Sequence, residues 1–373
     1  MASSVAPRPA VALIGAGAIA AVHVRAIRAA GARLVGVLSS TSARSSAAAE
    51  RLGAERSYPR LDALLADDAV EVVHICSPPG AHNEHVRAAL AAGKHVVCEK
   101  PLATTPAEAA DLADLAALSG RVCAVPFAYR YHPMAVEAHT RARTGKLGRI
   151  VSLRGAYQQE WRLVYDEDGW WSDPGQTGPS RAFADIGSHL VDLVEFTSAE
   201  RIARVHAVMR TVLPQSPAGH VLTTEDVAAV TVETTSGAIG TLQVSQMSLG
   251  RKNSLTVEVY GADASHTFDQ ESPESLWTAD RRGGREIVRD IPSLSDASAR
   301  LSILPGGHPM GYQDAFTALV TDAYVATTGA CPAELPTFDD GARAAAVVDA
   351  VVRSANQGSW TDVAESPTLR STT

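Results

Sequence analysis

Cysteine is scarce in this chain. Its 373 residues include four, Cys76, Cys98, Cys123 and Cys331, and no CxxC pair. That spacing offers neither a zinc ribbon nor a disulfide framework, and three of the four stand inside apolar runs, as buried thiols of a reducing compartment do. Aromatic residues are also few, at 5%. Basic charge is outweighed, 33 Lys and Arg against 41 Asp and Glu, for a formal net charge of −8. This balance argues against nonspecific nucleic-acid binding and against attachment to anionic lipid. No uncharged apolar run approaches about 18 residues, so no membrane span is expected. The opening MASSVAPRPA lacks an apolar signal core, and a cytoplasmic protein is expected. No His/Cys/Asp/Glu cluster has metal spacing, so no metal is expected, and neither a GxSxG nor a Cys–His nucleophile pattern is present.

What is present is ordinary globular composition, 46% hydrophobic and 20% charged, at a length that predicts two domains. Residues 10 to 125 alternate short apolar runs (AVALIG, ARLVGVLSS, VEVVHICS, HVVCE, RVCAVPFAY) with alanine-rich helical stretches. That alternation reads as βαβ units in a parallel, doubly wound sheet, with strands apolar throughout because helices cover both faces. After about residue 130 come long β-like runs, RIVSLRGAYQQEW, RIARVHAVMRTV, DVAAVTVETT, AIGTLQVSQMSL and NSLTVEVYGA, with one helix, DIGSHLVDLVEF, inserted early. The fold class expected is α/β, an N-terminal dinucleotide-binding domain over 1–128 and a C-terminal α+β domain over 129–373 built on a large, mostly antiparallel open sheet. Two helical stretches close the second domain, and ESPTLRSTT reads as a loose tail.

VALIGAGAIA carries Gly15-x-Gly17-x-x-Ala20 between a strand and a helix. The first glycine permits the tight turn, the second lets backbone approach a pyrophosphate at the helix N-terminus, and Ala20 is small enough for close packing. With Ala18 and Ile19 these form the expected phosphate loop of a Rossmann fold. The next strand ends LSSTSARS, with Ser39 where an acid would grip the ribose of NAD. No carboxylate competes, and Ser40, Thr41 and Arg44 suit a 2′-phosphate, so the cofactor expected is NAD(P), leaning to NADP. Ser77, Pro78 and His82 follow another strand, and with Glu99 and Lys100 they complete the expected cofactor contacts.

KHVVCEKPLATT ends a strand on Glu99, Lys100 and Pro101. In a parallel sheet the ligand lies beyond the carboxyl ends of the strands, and proline holds Lys100 extended there. EKPLATT after AALAAGKHVV, together with ALIGAGAIA, ADIGSHLVDL and PTFDDGARAAAVVDAVVRSANQGSW, resembles the glucose–fructose oxidoreductase/inositol dehydrogenase/MocA family over nearly the whole chain. The resemblance implies that Lys100 reaches the nicotinamide and the reacting oxygen beside Glu99, and that the Lys100–Pro101 bond is cis.

In ADIGSHLVDLVEF, Asp185 and His189 share a helix face at i,i+4, while Ile186, Leu190, Leu193 and Val194 form the core side. An aspartate beside a histidine orients the imidazole and favours its charged form, as a general base for a hydroxyl requires. The resemblance places the family's catalytic pair on these two residues. Many members have a glycine-rich lead-in where this chain has TGPSRAF. Period two along VSLRGAYQQEW puts Tyr157, Gln159 and Trp161 on one strand face, where Gln159 and Trp161 suit a polyol. Tyr129, Arg130 and Tyr131 follow the first domain and are expected at the edge of the substrate site.

The expected activity is hydride transfer between NAD(P) and a hydroxyl or keto carbon of a sugar, anhydrosugar, sugar derivative or cyclitol. Lys100, His189 and Asp185 would be catalytic, with Tyr131, Gln159 and Trp161 binding substrate. Two alternatives stand beside it: an enzyme that retains its cofactor and uses transient oxidation for elimination or glycoside cleavage, and a non-catalytic regulator on the same fold. The resemblance also implies a homodimer or homotetramer through the C-terminal sheet.

Overall fold

The computed structural model describes residues 8–164, 169–216 and 218–364, in two compact units. The tail read from the sequence, residues 365–373, lies outside them.

The first unit holds a six-stranded, all-parallel sheet: β1 (Ala10–Ile14), β2 (Arg33–Leu38), β3 (Arg56–Ser57), β4 (Val72–Ile75), β5 (His95–Cys98) and β6 (Cys123–Ala124), in the order β3-β2-β1-β4-β5-β6. The chain runs outward from β1 to β3, then returns to β4 on its other side, which makes the β1/β4 border the switch point of a doubly wound sheet. The helices Ala18–Ala29 (α1), Ser42–Leu52 (α2), His82–Ala91 (α3) and Pro106–Ser119 (α4) connect the strands. α2 starts on Thr41, whose hydroxyl accepts the Arg44 N–H, and α4 starts on Thr105 with Pro106 behind it. Gly36 in β2 is a packing requirement, since a Cβ there would lie 2.2 Å from the ring of buried Tyr58.

The second unit begins at Tyr129 and carries the helix Pro133–Arg143 (α5) and a nine-stranded sheet: β7 (Ile150–Gln158), β8 (Ile202–Arg210), β9 (Val227–Thr234), β10 (Ile239–Ser245), β11 (Ser254–Gly261), β12 (Ala264–Asp269), β13 (Ser275–Asp280), β14 (Gly283–Val288) and β15 (Thr361–Asp362). Its order is β14-β13-β12-β11-β7-β10-β9-β8-β15, with β7 and β10 parallel and the other neighbours antiparallel. The helix Ser188–Ser198 (α6) covers one face, and Gly155 of β7 is small because Leu190 and Val194 of α6 press against it. β9 and β10 alternate buried and open positions up to Val244 and Ser245, which are both buried at the end of β10.

Three expectations are corrected. The single domain boundary gives way to a chain that returns: residues 312–342 belong to the first unit, and the segment from Arg343 to the second. The helix Tyr312–Ala326 (α7) buries Phe316, Leu319, Val320 and Tyr324, and its Gln313 amide donates to the Val22 carbonyl of α1 at 3.2 Å. The helix Phe338–Gln357 (α8) begins in the first unit and ends in the second. β7 stops at Gln158, so Gln159 leaves the strand and Trp161 opens a helical turn, which ends the period-two face. Finally, β12 to β14 extend the sheet beyond the five runs read from sequence. They are short and rich in Ser, Thr, Asp and Gly, and β14 is exposed along almost its whole length.

Gly36→Ala is expected to destabilise the protein by about 1–3 kcal/mol in urea unfolding, as overpacking does. Pairing it with Tyr58→Leu should recover part of the loss, and an unchanged unfolding midpoint in Gly36→Ala would refute the contact.

Candidate active site

In the first unit, the β1–α1 turn is shaped for a diphosphate. Gly15 has φ +95° and its N–H donates to the Leu38 carbonyl at 2.8 Å. A Cβ there would lie 2.5 Å from the carbonyl carbon of Cys76. Gly17, the N-cap of α1, is exposed and meets nothing within 4 Å, and no side chain caps the helix. An uncapped helix N-terminus behind an open glycine fits a dinucleotide. Ala18 is exposed and Ile19 half-buried beside it, and Arg51 of α2 braces the loop through the Ala16 carbonyl at 2.7 Å. At the end of β2 the Ser39 N–H donates to Ser45 Oγ at 2.8 Å, while Arg44 reaches Ser40 Oγ at 3.1 Å, both exposed. No carboxylate stands at this strand end.

Beyond β4, Ser77 and Pro78 are half-buried, and Ser77 Oγ meets His85 Nδ1 at 3.0 Å. His82 points into the protein. It is fully buried, with Nε2 2.8 Å from the Ser77 carbonyl and Nδ1 2.9 Å from that of Pro101, so it clamps the loops after β4 and β5 together. Burial pushes its pKa down, against the pull of those carbonyls. The Lys100–Pro101 bond it holds is cis, and Lys100 is half-buried at the strand tip. Glu99 likewise points inward, its Oε1 2.9 Å from His23 Nε2 and its Oε2 accepting the Lys100 backbone N–H at 3.2 Å. Expected as cofactor contacts, His82 and Glu99 are both buried and hydrogen-bonded to the loop that carries Lys100.

In the second unit, the helix carrying the pair begins irregularly. Residues Phe183–Gly187 form a π turn and Ser188 starts α6, so Asp185 lies in the π turn and His189 in the α-helix. π turns concentrate at functional sites. Gly187 is small because the Phe183 ring occupies its Cβ direction, 2.8 Å away. Buried Glu225 satisfies the start of this segment, accepting from Ser180 Oγ at 2.7 Å, the Phe183 N–H at 2.7 Å and the Arg181 N–H at 3.2 Å. Burial raises its pKa, and those donors offset the rise.

Asp185 is half-buried, and its Oδ2 accepts the Gln246 amide at 2.9 Å. Gln246 is oriented by Arg181, whose guanidinium also binds Asp226 and the Glu225 carbonyl. His189, 7% exposed, lies edge-on to Tyr129 at 5.0 Å and tilted to Tyr157 at 6.5 Å between ring centres. The two tyrosine hydroxyls are 2.7 Å apart, and Asn253 Oδ1 joins Tyr157 Oη at 2.7 Å to Gln159 Nε2 at 2.8 Å. Of the residues expected to meet substrate, Gln159 therefore lies in one polar network with the aromatic rings around His189. Trp161 packs edge-on to Trp171 at 5.6 Å, beneath the guanidinium of Arg162. Tyr131 is 1% exposed, close to Tyr157 at 2%. Arg130 forms a bidentate pair with buried Asp192, Nε to Oδ2 at 2.8 Å, so it is a structural cation.

Sequence reasoning missed Asn253, Gln246, Arg181 and Glu225. The pairing of Gln158 with both Ser245 and Ser254 brings the ends of β10 and β11 together, one residue from Gln246 and from Asn253. Their positions follow from strand order, which no local motif carries.

Comparison with known proteins identifies the class. Residues 10–127 match the model of an oxidoreductase family with an NAD-binding Rossmann fold, and residues 136–267 match the GFO/IDH/MocA C-terminal domain. The chain belongs to the Gfo/Idh/MocA family of oxidoreductases. It is 29% identical to the levoglucosan dehydrogenase of Pseudarthrobacter phenanthrenivorans over 350 residues, 85% of this chain and 86% of that one. The crystal structure of an oxidoreductase domain protein from Kribbella flavida matches with a TM-score of 0.88 at 32% identity, covering 96% of this chain and 100% of that one. A levoglucosan dehydrogenase in complex with NADH and levoglucosan matches at 0.89 and 28%, again over 96% and 100%.

Proposed function

We propose that this oxidoreductase oxidises a ring hydroxyl of a sugar, anhydrosugar, sugar derivative or cyclitol, and reduces the corresponding ketone in reverse. The observation that carries the reading is the ring of hydroxyl, amide and aromatic groups around His189: Tyr129, Tyr157, Gln159 and Asn253, with Asp185 held nearby by Gln246. Such a lining matches a polyhydroxylated ring, whose edges need hydrogen bonds and whose faces need aromatic contact. The levoglucosan dehydrogenases similar to this chain support the same substrate class.

In this reading His189 removes the hydroxyl proton, and Asp185 orients the imidazole and binds a neighbouring hydroxyl. The Lys100 ammonium stabilises the oxygen as it becomes an alkoxide. NAD(P), held by the Gly15–Ile19 loop and the α1 N-terminus, supplies the hydride acceptor when bound. His189 must be neutral to accept a proton, so oxidation rises with pH through its titration. In a screen of pyranoses, anhydrosugars and cyclitols, net cofactor reduction should follow at least one ring polyol, and Lys100→Ala should lower kcat by about 10² or more. His189→Ala should lower kcat by roughly 10²–10⁴ and flatten the rising limb. A His189→Ala profile that keeps the limb would move the base to another group.

We infer a preference for NADP over NAD from the end of β2, where Ser39, Ser40, Thr41 and Arg44 stand without a carboxylate. Titration should show tighter NADP binding, and Ser39→Asp should shift the balance to NAD. A wild type that prefers NAD tenfold overturns the inference.

We place the enzyme in the cytoplasm as a homodimer or homotetramer, on its buried free thiols and on the open face of its second sheet. Val208, Ile239, Tyr260 and Trp277 are exposed there, on strands whose register gives them one common side. Among the described residues no helix is long and apolar enough to cross a membrane. Sedimentation at micromolar concentration should show a dimer or tetramer that Ile239→Glu with Trp277→Glu dissociates, and a monomeric wild type would refute the assembly.

A further inference from the structure

Behind the tip of β5, four titratable side chains from four elements form a buried line. Glu99 Oε1 lies 2.9 Å from His23 Nε2, on α1. His23 Nδ1 lies 2.7 Å from His74 Nδ1, on β4. His74 Nε2 lies 2.9 Å from the hydroxyl of Tyr324, on α7. His23 and His74 are fully buried, Tyr324 is 1% exposed and Glu99 7%.

We propose that His23, His74 and Tyr324 are positioning residues, a one-directional hydrogen-bond string that holds Glu99 as a fixed carboxylate and, through it, sets Lys100.

The direction follows from donor and acceptor counting. Two ring nitrogens at 2.7 Å need one N–H and one lone pair, so the histidines carry opposite tautomers. With the Tyr324 hydroxyl donating, His74 Nε2 accepts, His74 Nδ1–H donates to His23 Nδ1, and His23 Nε2–H donates to Glu99 Oε1. Glu99 Oε2 meanwhile accepts the Lys100 backbone N–H. Both carboxylate oxygens then accept and no polar atom of the string is left over. The reverse direction requires Glu99 to hold a proton and leaves the Tyr324 O–H with no acceptor, since His74 is its sole side-chain partner among the described residues. Protonating His23 sets a second N–H against that of His74 at 2.7 Å, and protonating His74 sets an N–H against the Tyr324 hydroxyl hydrogen, so either charge breaks the one-directional string.

Burial and the neighbouring His23 push the pKa of His74 down, and burial pushes that of Tyr324 up, so both remain neutral. Lys100 follows Glu99 in the chain, and the Glu99 charge also acts on Cys76, Cys98 and His82. Burial and the Glu99 charge raise both thiols, and burial lowers His82 against the pull of its two carbonyls and of the Glu99 charge. Phe316 of α7 packs edge-on to His23 at 4.8 Å between ring centres, so α7 fixes the string at two points.

The test uses the full-length protein labelled with 15N-histidine. Side-chain nitrogen NMR should show His23 as the Nε2–H tautomer and His74 as the Nδ1–H tautomer, both neutral at pH 7. His74 found as the Nε2–H tautomer, or either ring charged at pH 7, overturns the string. The positioning role is read by Tyr324→Phe, which should let the His74 tautomer mix. That variant should lower kcat about 3- to 10-fold, the scale of one buried hydrogen bond, with substrate KM unchanged. It should have no further effect in a Lys100→Ala background. Wild-type kcat with a lowered melting temperature would make the string purely structural and overturn its positioning role. The kcat arm rests on the proposed role of Lys100. Wild-type turnover in Lys100→Ala would sink that role, while the tautomer measurement still decides the string by itself.

Discussion

A side chain at Gly15 would place its Cβ 2.5 Å from the carbonyl carbon and oxygen of Cys76 and 2.6 Å from the nitrogen of Ser77. The first β–α turn of the nucleotide unit thus touches the backbone leaving the neighbouring strand, at the border where strand order reverses. At φ +95° only glycine makes that turn without strain. Several other features follow from this contact. The end of β4 lies under the loop, Ser77 accepts from His82, and His82 reaches the Pro101 carbonyl beside Lys100. The phosphate loop and the lysine tip are therefore parts of one bonded frame, three strands wide.

Both units solve a common problem, that of holding a carboxylate in place inside protein. A buried carboxylate is tolerated where donors surround it. Glu99 has an imidazole and a backbone N–H. Glu225 has a serine hydroxyl and two backbone N–H groups at the opening of the π turn. Asp226 has the Arg181 guanidinium and the N–H groups of Val212 and Leu213. In each case at least one donor comes from a segment distant in sequence, so the charge links elements that no local interaction would join. Loss of one partner leaves an unsatisfied buried group, a larger penalty than the net worth of the bond.

Much of this was legible in the chain. Gly15-x-Gly17-x-x-Ala20, the EKP tip and the Asp185/His189 spacing each express a local geometric need, and local needs leave local patterns. The parallel sheet was readable from uninterrupted apolar strands, and the second sheet from alternation in β9 and β10. Less legible was whatever depends on chain return. α7 has the periodicity of any amphipathic helix, and nothing in YQDAFTALVTDAY says which sheet its Phe316 and Tyr324 will meet. The π turn was hidden because, of Ile186, Leu190, Leu193 and Val194, only Ile186 lies in it, so their apolar spacing reads as one α-helix. Trp161 was placed on the wrong element because period two was carried past Gln158, where β7 ends.

The segment TGPSRAF, a departure from the family's glycine-rich lead-in, shows why such mismatches repay physical reading. Its Ser180 and Arg181 are both buried, and both bind Glu225. Arg181 also bonds Gln246, which in turn donates to Asp185. A glycine-rich loop would leave backbone in those places and no guanidinium. Here the orientation of Asp185 depends on a cation held by Asp226 and by the Glu225 carbonyl, two residues on the chain entering β9. Placement of the Asp185 carboxylate is therefore coupled to the sheet rather than to the helix alone. The geometry around His189 is set by strand positions as much as by the i,i+4 spacing that first drew attention to it.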